Sequence, residues 1–211
     1  MSEVVFYEYW RSSAAYRVRI ALNLKGVPYR SVQLDLTTGA QSSPEYLALN
    51  PQGLVPALAI DGLLLTQSLA IIDYLDAKFK DPPMVLSDPA SRSRTLAQAL
   101  LIAADIHPLN NLRVLKYLRR ELGQDDEAVN AWYRHWIAEG FAALEQQAPD
   151  AGFFGGDQPN MADVCLVPQV ANARRFDTPL GPYPQLVEID ARLRALPALA
   201  AAAPEAVQKL I

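Results

Sequence analysis

The chain has one cysteine, Cys165, and two histidines among 211 residues. An intrachain disulfide is therefore impossible, and the ligands for a Cys/His zinc site are too few for any metal to be expected. A lone thiol fits a reducing, cytoplasmic setting. Basic excess is also lacking: 19 Lys and Arg against 23 Asp and Glu leave a net charge of -4. That balance offers no general field for nucleic acid, although local arginine clusters can still hold small anions. No apolar run approaches the length that spans a bilayer, and no basic start leads into an apolar stretch with a small-residue cleavage site. The expectation is a soluble protein with neither membrane nor nucleic acid as partner. In plentiful supply are hydrophobic residues, at 51%, enough for a sizeable core without metal or disulfide support.

Residues 4–9, VVFYEY, read as a strand, and apolar residues at helical spacing follow from Ser13 to Lys25 until Gly26 stops them. YRSVQLDL (29–36) alternates as a second strand, a helical turn falls near EYLALN, and Asn50-Pro51-Gln52-Gly53 signals a turn. VPALAI (55–60), Asp61-Gly62 and LLLT (63–66) form a hairpin, after which Gln67-Ser68 opens a helix carrying Leu69, Ile71, Ile72 and Leu75. The order is βαβ followed by ββα. KDPPMVLSDPAS (80–91) then breaks the pattern with prolines, and everything beyond it reads as helix, over about 89–121, 126–148, 160–175 and 183–196, with the alanine-rich end as a last helix. The spacing predicts an α/β domain over 1–81, a linker over 82–88 and an all-α domain over 89–211.

Ser12 and Ser13 stand where the first strand gives way to the first helix. Their hydroxyls and the helix's first N–H groups suit either a cap or an anion, a thiolate included, whose pKa they would lower. Pro56 enters a strand at its start; it is either a plain strand-start proline or a cis bend that leaves the Val55 N–H and C=O for an extended peptide. Gln67-Ser68 repeats the anion-ready helix start, this time for a carboxylate. Asn160 and Asp163 have the form of a capping box on the helix that carries Cys165, whose apolar neighbours predict a buried, inert thiol. The cluster from Asp105 to Arg113, with His107, Pro108 and Asn111, interrupts an apolar helix and is either a structural network or a site. Arg174-Arg175 suits the C-terminal dipole of its helix. Arg17 and Arg19 read as structural or surface charges.

Taken together, "SS" before "RVRIALNLKGVPY", then "NPQGLVPAL", "TQSLAIIDYL", "DIHPLNNLRVLKYL" and "NMADVCLVPQVANARRF" resemble the zeta-class glutathione transferases. Within that class the chain is most similar to bacterial isomerases of maleyl dicarboxylates, maleylacetoacetate or maleylpyruvate. The resemblance implies a thioredoxin-like N-terminal domain that binds glutathione, an all-α C-terminal domain for the second substrate, and a homodimer. Residue by residue, it implies Ser12 and Ser13 beside the glutathione sulfur and Val55 pairing its backbone with the cysteinyl unit next to a cis Pro56. Gln67 and Ser68 would hold the γ-glutamyl carboxylate, with Gln52 a weaker candidate. His107 and Asn111 match positions that reach glutathione, and Arg11, Arg113 and Arg175 match arginines that face substrate carboxylates. Arg11 joins the two serines as a catalytic candidate. Ala14 departs from the pattern, because animal and plant members often have cysteine there; it counts against any mechanism needing an enzyme thiol. The implied activity is glutathione-dependent cis–trans isomerisation of a maleyl dicarboxylate. Conjugation of glutathione to α-haloacids or other electrophiles, and a non-catalytic binding role on the same fold, stand as alternatives.

Overall fold

A computed structural model describes residues 3–209. Among them, β1 (Val5–Glu8), α1 (Ser13–Leu24), β2 (Arg30–Gln33), α2 (Pro44–Leu49), β3 (Ala57–Ile60), β4 (Leu63–Thr66) and α3 (Ser68–Lys78) follow in the expected βαβ-ββα order. The four strands form one sheet in the order β2-β1-β3-β4. β1 runs parallel to β2, as a crossover through α1 requires, and antiparallel to β3, which pairs antiparallel with β4. The β3–β4 turn is Asp61-Gly62, with φ of +54° and +77°. Two positive φ angles give the turn the twist that neighbouring strands need, and glycine takes the second without steric cost.

α1 buries a whole row, Ala15 through Leu22. Six of these are apolar or aromatic and need no comment, but Arg17 and Arg19 are 1% and 0% exposed. They are structural charges, not surface ones. Arg19 pairs with the equally buried Glu8. Lys25, at the end of α1, donates from Nζ to Asp76 Oδ1 at 2.7 Å and to the carbonyls of Phe79 and Pro82 at 2.6 Å each. All three ammonium protons thus find oxygen, which offsets the cost of drawing the charge out of water.

Past Pro83 a second unit begins at Met84 and runs to Arg194. It contains α4 (Pro89–Leu100), a π-helical segment (Leu101–Ile106), α5 (Leu112–Arg120), α6 (Asp126–Glu145), α7 (Met161–Arg175) and α8 (Pro184–Arg194). α7 is buried almost all round, the mark of a central helix; α4 and α8 both pack on it. The helix expected over 89–121 is two helices, because the π segment and the turns at 107–111 separate α4 from α5. Gly140 of α6 faces Ile106 so closely that a Cβ there would overlap the isoleucine side chain. The close approach of α6 to the π segment needs that glycine.

Two expectations change. The stretch 82–88 is not a free linker: Met84 and Val85 are buried, and the Met84 carbonyl accepts from Met161 N–H at 3.0 Å. Residues from Ala195 onward group with the first unit instead of the helical one. They form α9 (Pro197–Ala202) and α10 (Pro204–Gln208), two short helices where one was expected, because Pro204 cannot continue α9. α9 lies against α1, where Arg19 Nε donates to the Ala202 carbonyl and Asn23 Nδ2 to the Ala198 carbonyl, each at 2.9 Å. Residues 1–2 and 210–211, which the sequence boundaries include, lie outside the described residues. No described helix is long and apolar enough to cross a membrane.

The capping box on α7 is complete. Asn160 Oδ1 accepts from Ala162 and Asp163 N–H, while Asp163 Oδ2 accepts from Asn160 N–H at 2.9 Å. Asp163 also takes the N–H groups of Phe154 and Gly155, each at 3.0 Å, so it ties a loop to the helix. Burial lifts its carboxyl to about 6, against the pull of those backbone donors. A folded-state pKa above the unfolded value means that the native state holds the proton more tightly. Asp163 is therefore expected to contribute stability fully below about pH 4 and to lose it as pH rises to about 6, with no further change above. Thermal unfolding followed from pH 4 to 7 tests this: Asp163→Asn should abolish that part of the slope, and an unchanged slope would reject the assignment.

Candidate active site

In the first unit, the turn from β1 into α1 is closed by Ser12 N–H donating to the Tyr9 carbonyl at 2.9 Å. Ser12 is the N-cap, extended at φ -69° and ψ 121°, and its Oγ accepts from Ala15 N–H at 3.3 Å. Capping and anion binding do not compete here, since a hydroxyl that accepts still has its own proton to donate. Ser13 is the first helical residue, and Ala14 follows it. Arg11 is exposed. Its guanidinium lies 5.9 Å from the Tyr9 ring centre and 5.4 Å from that of Trp10, and such stacking favours one orientation of the fork. Asp35 is held below the usual carboxylate range, first by the Thr37 hydroxyl and N–H; the positive charge of Arg11 adds to this.

The Val55–Pro56 bond is cis. β3 begins only at Ala57, so Val55 lies ahead of the ladder. The preceding carbonyl, of Leu54, is taken by Tyr46 Oη at 2.7 Å and Asn50 Nδ2 at 2.8 Å. Gln67 Nε2 donates to Gln52 Oε1 at 3.1 Å, which joins two of the expected binding residues directly. Gln67 itself has φ +67° and makes no side-chain cap to α3. A positive φ on a residue with a long side chain costs energy, and such strain persists where the surroundings enforce it, often at ligand sites. Behind it, Arg17 Nη1 donates to Ser68 Oγ at 3.3 Å. The start of α3 thus has a buried cation close beneath it, in addition to its helix dipole. Within an apolar helix period Arg17 reads as structure alone, and nothing in the sequence points it at Ser68.

In the second unit, His107 closes the π segment, its N–H donating to the Ile102 carbonyl at 2.9 Å. Asn111 caps α5, with Oδ1 accepting from Arg113 N–H at 3.1 Å. The intervening turn is pinned to α6: Asn110 Nδ2 donates to the Tyr133 carbonyl at 3.1 Å, and Trp132 Nε1 to the Leu109 carbonyl at 2.9 Å. Arg113 is exposed on the first turn of α5. Arg175 ends α7, with its guanidinium 5.2 Å from the ring centre of Phe176. That ring stacks on Tyr133 at 3.6 Å and 12°. Burial raises the Tyr133 phenol, and the charge of Arg175 acts against that rise. Arg174, by contrast, pairs with buried Asp190 at 2.7 Å. The two adjacent arginines therefore differ in kind, and only Arg175 rests on an aromatic platform. No spacing rule ties Tyr133 to Phe176 across 43 residues of sequence.

The first unit thus brings together two helix starts with hydroxyls and a cis turn; the second carries a histidine, a capping asparagine and two arginines. Cys165 is fully buried. Among the described residues no group of three or more His, Cys, Asp or Glu is arranged to hold a metal ion.

Residues 11–78 match the family described as glutathione S-transferase, N-terminal domain, and residues 126–202 match glutathione S-transferase, C-terminal domain. A probable maleylacetoacetate isomerase of Vibrio cholerae is 52% identical over 97% of both chains. The holo structure of a maleylpyruvate isomerase, a bacterial glutathione S-transferase of the zeta class, superposes with a TM-score of 0.93 at 44% identity, covering 96% of this chain and 97% of that one. A maleylacetoacetate isomerase of Methylobacterium extorquens AM1, solved with bound malonate and glutathione, gives a TM-score of 0.91 at 40% identity over 96% and 97%.

Proposed function

The chain belongs to the glutathione S-transferase family, in its zeta class, and from that footing we propose that it is a glutathione-dependent cis–trans isomerase of a maleyl dicarboxylate. Maleylacetoacetate and maleylpyruvate are the two candidate substrates, and the products are their fumaryl isomers. The observation that carries this reading is identity of 49% over 97% of both chains with the maleylacetoacetate isomerase of Rhizobium meliloti, together with serine hydroxyls where an enzyme thiol is absent.

The donor set suits glutathione. Gln67, the first N–H groups of α3 and Ser68, with Arg17 behind it, offer a carboxylate both hydrogen bonds and positive charge. Gln52 steadies Gln67, and Val55 beside the cis Pro56 offers its peptide group to an extended tripeptide. Ser12 and Ser13 sit at a helix start, where donors favour a charged sulfur over a neutral one. When bound, glutathione supplies the thiolate that adds to the conjugated alkene, leaves a single bond free to rotate, and departs. The chain's own residues then have three tasks. The serines keep the thiol ionised at neutral pH. Arg11 in the first unit, and Arg113 and Arg175 in the second, each offer a planar fork suited to a substrate carboxylate, the means of fixing the alkene's orientation. Arg11 or His107 stabilises the negative charge that develops on the carbonyl oxygen. His107 and Asn111 also contact glutathione in this reading, and the working unit is a homodimer.

The test is incubation with glutathione and either maleyl substrate while the enol absorbance is followed. Isomerisation of one or both, absent without glutathione, is expected; no isomerisation of either would reject the proposal, with turnover of α-haloacids favouring the transferase alternative and absence of glutathione binding the non-catalytic one. Arg175→Lys keeps the charge but loses the bidentate fork and the stacking on Phe176. It is expected to lower kcat/KM about ten- to a hundredfold, measured at saturating glutathione. An unchanged value would remove Arg175 from the substrate site.

A further inference from the structure

Trp10 stands immediately before Arg11-Ser12-Ser13, and both peptide groups that flank its α-carbon are gripped. Its N–H donates to Gln33 Oε1 of β2 at 2.9 Å, and its carbonyl accepts from Arg19 Nη2 of α1 at 2.7 Å. Both gripping side chains are themselves anchored. Gln33 Nε2 donates to Ser31 Oγ, and Ser31 Oγ donates to Glu8 Oε1, each at 2.8 Å. Arg19 Nη1 pairs with Glu8 Oε2, and its Nε donates to the Ala202 carbonyl at 2.9 Å. One network therefore runs from β2 across β1 and α1 to α9. Each of the three guanidinium nitrogens of Arg19 has its own acceptor.

The geometry gives this network a purpose beyond holding the sheet. Tyr9 and Ser12 close a tight turn, and Trp10 and Arg11 are its two central residues. With the peptide planes on either side of Trp10 fixed, its φ and ψ are fixed, and so is the direction in which the chain enters Arg11 and Ser12. We infer that Gln33 and Arg19 are positioning residues for the Arg11–Ser13 turn, holding the serine hydroxyls and the start of α1 in place before glutathione arrives. Donors that are already oriented need no reorganisation when charge appears on the sulfur. The inference rests on the reading of Ser12 and Ser13 as the thiolate's partners, and it makes the C-terminal helix α9, through Ala202, a support for that site.

Gln33 is the residue to change, because it is half-buried on a sheet-edge strand and its loss leaves the Glu8–Arg19 pair intact. In the ligand-free full-length Gln33→Met variant, amide hydrogen exchange at Trp10 and through Ala15 is expected to quicken about three- to tenfold. With glutathione bound, the thiolate absorbance near neutral pH is expected to fall about three- to tenfold at saturation, as one donor's worth of preorganisation is lost. Gln33→Glu keeps an acceptor for the Trp10 N–H but loses the Nε2 anchor on Ser31 Oγ, so it should restore part of the protection. Unchanged exchange in Gln33→Met would overturn the inference, as would faster exchange with an unmoved thiolate fraction. Should the unsubstituted protein leave bound glutathione un-ionised, it is the functional reading of the serines that falls, and the thiolate half of this inference falls with it.

Discussion

Removing both serine hydroxyls, in a Ser12→Gly/Ser13→Ala double variant, is expected to lower kcat about a hundred- to a thousandfold, the usual cost of losing donors aimed at developing negative charge. The choice of glycine at position 12 matters. Ser12 caps α1, so Ser12→Ala would confound catalysis with a cap loss of about 1 kcal/mol, whereas glycine at an N-cap costs only a few tenths of that. Ser12→Gly should therefore unfold at nearly the temperature of the unsubstituted protein. The two single variants then say which hydroxyl faces the sulfur: the pH at which bound glutathione ionises should rise in one and hold in the other. A double variant with full activity and an unshifted thiol titration would mean that the α1 start is a cap and nothing more.

The largest stability effect is expected from the Glu8–Arg19 pair, in which the side chains are 1% and 0% exposed. Arg19→Met strands a buried carboxylate that keeps the Ser31 hydroxyl as a donor but loses its counter-charge, and should cost about 3 to 5 kcal/mol. Glu8→Met strands a buried guanidinium and should cost a similar amount. Replacing both at once removes the pair together with its desolvation cost, so Glu8→Met/Arg19→Met should recover part of the loss, the Trp10 and Ala202 carbonyls still lacking the donors Arg19 gave them. Urea midpoints at constant m-value measure the cycle; single losses that simply add would show that the two do not act as a pair. Stability and thiol activation should also part company in the double variant, since two methionines restore packing but not the grip on the Trp10 carbonyl.

Those buried charges are also where the sequence is hardest to read. Strand and helix order in the first unit was legible because its signals are local: alternation, a serine before a helix, Asp61-Gly62 between two apolar runs. The capping box at Asn160 and Asp163 was legible for the same reason. Arg17 and Arg19 were not, because a charged residue within an apolar helix period carries no sign of which acceptor waits 51 or 183 residues away. The return of α9 to the first unit was invisible for the same cause: composition after Pro197 says helix but not against what. The expected site residues fall on helix starts, turns and a helix end, features that short motifs mark. Their supports do not. Gln33, Trp10, Tyr133 and Phe176 contribute through a backbone hydrogen bond, a peptide plane or a ring stack, and none has a spacing that announces it. The π segment was likewise unreadable, because apolar spacing alone does not distinguish its pitch from that of α4.

The placement of sulfur in this chain has a practical consequence. The sole cysteine, Cys165, is fully enclosed by α7 and its neighbours, and the residue after the serine pair is alanine. An electrophile that alkylates thiols would find no such nucleophile beside the serines here. Ala14→Cys would supply one, two residues past the N-cap, and mass spectrometry after exposure to a haloacid would then read covalent modification as a single increment on one peptide. The unsubstituted chain, treated alike, is its own blank.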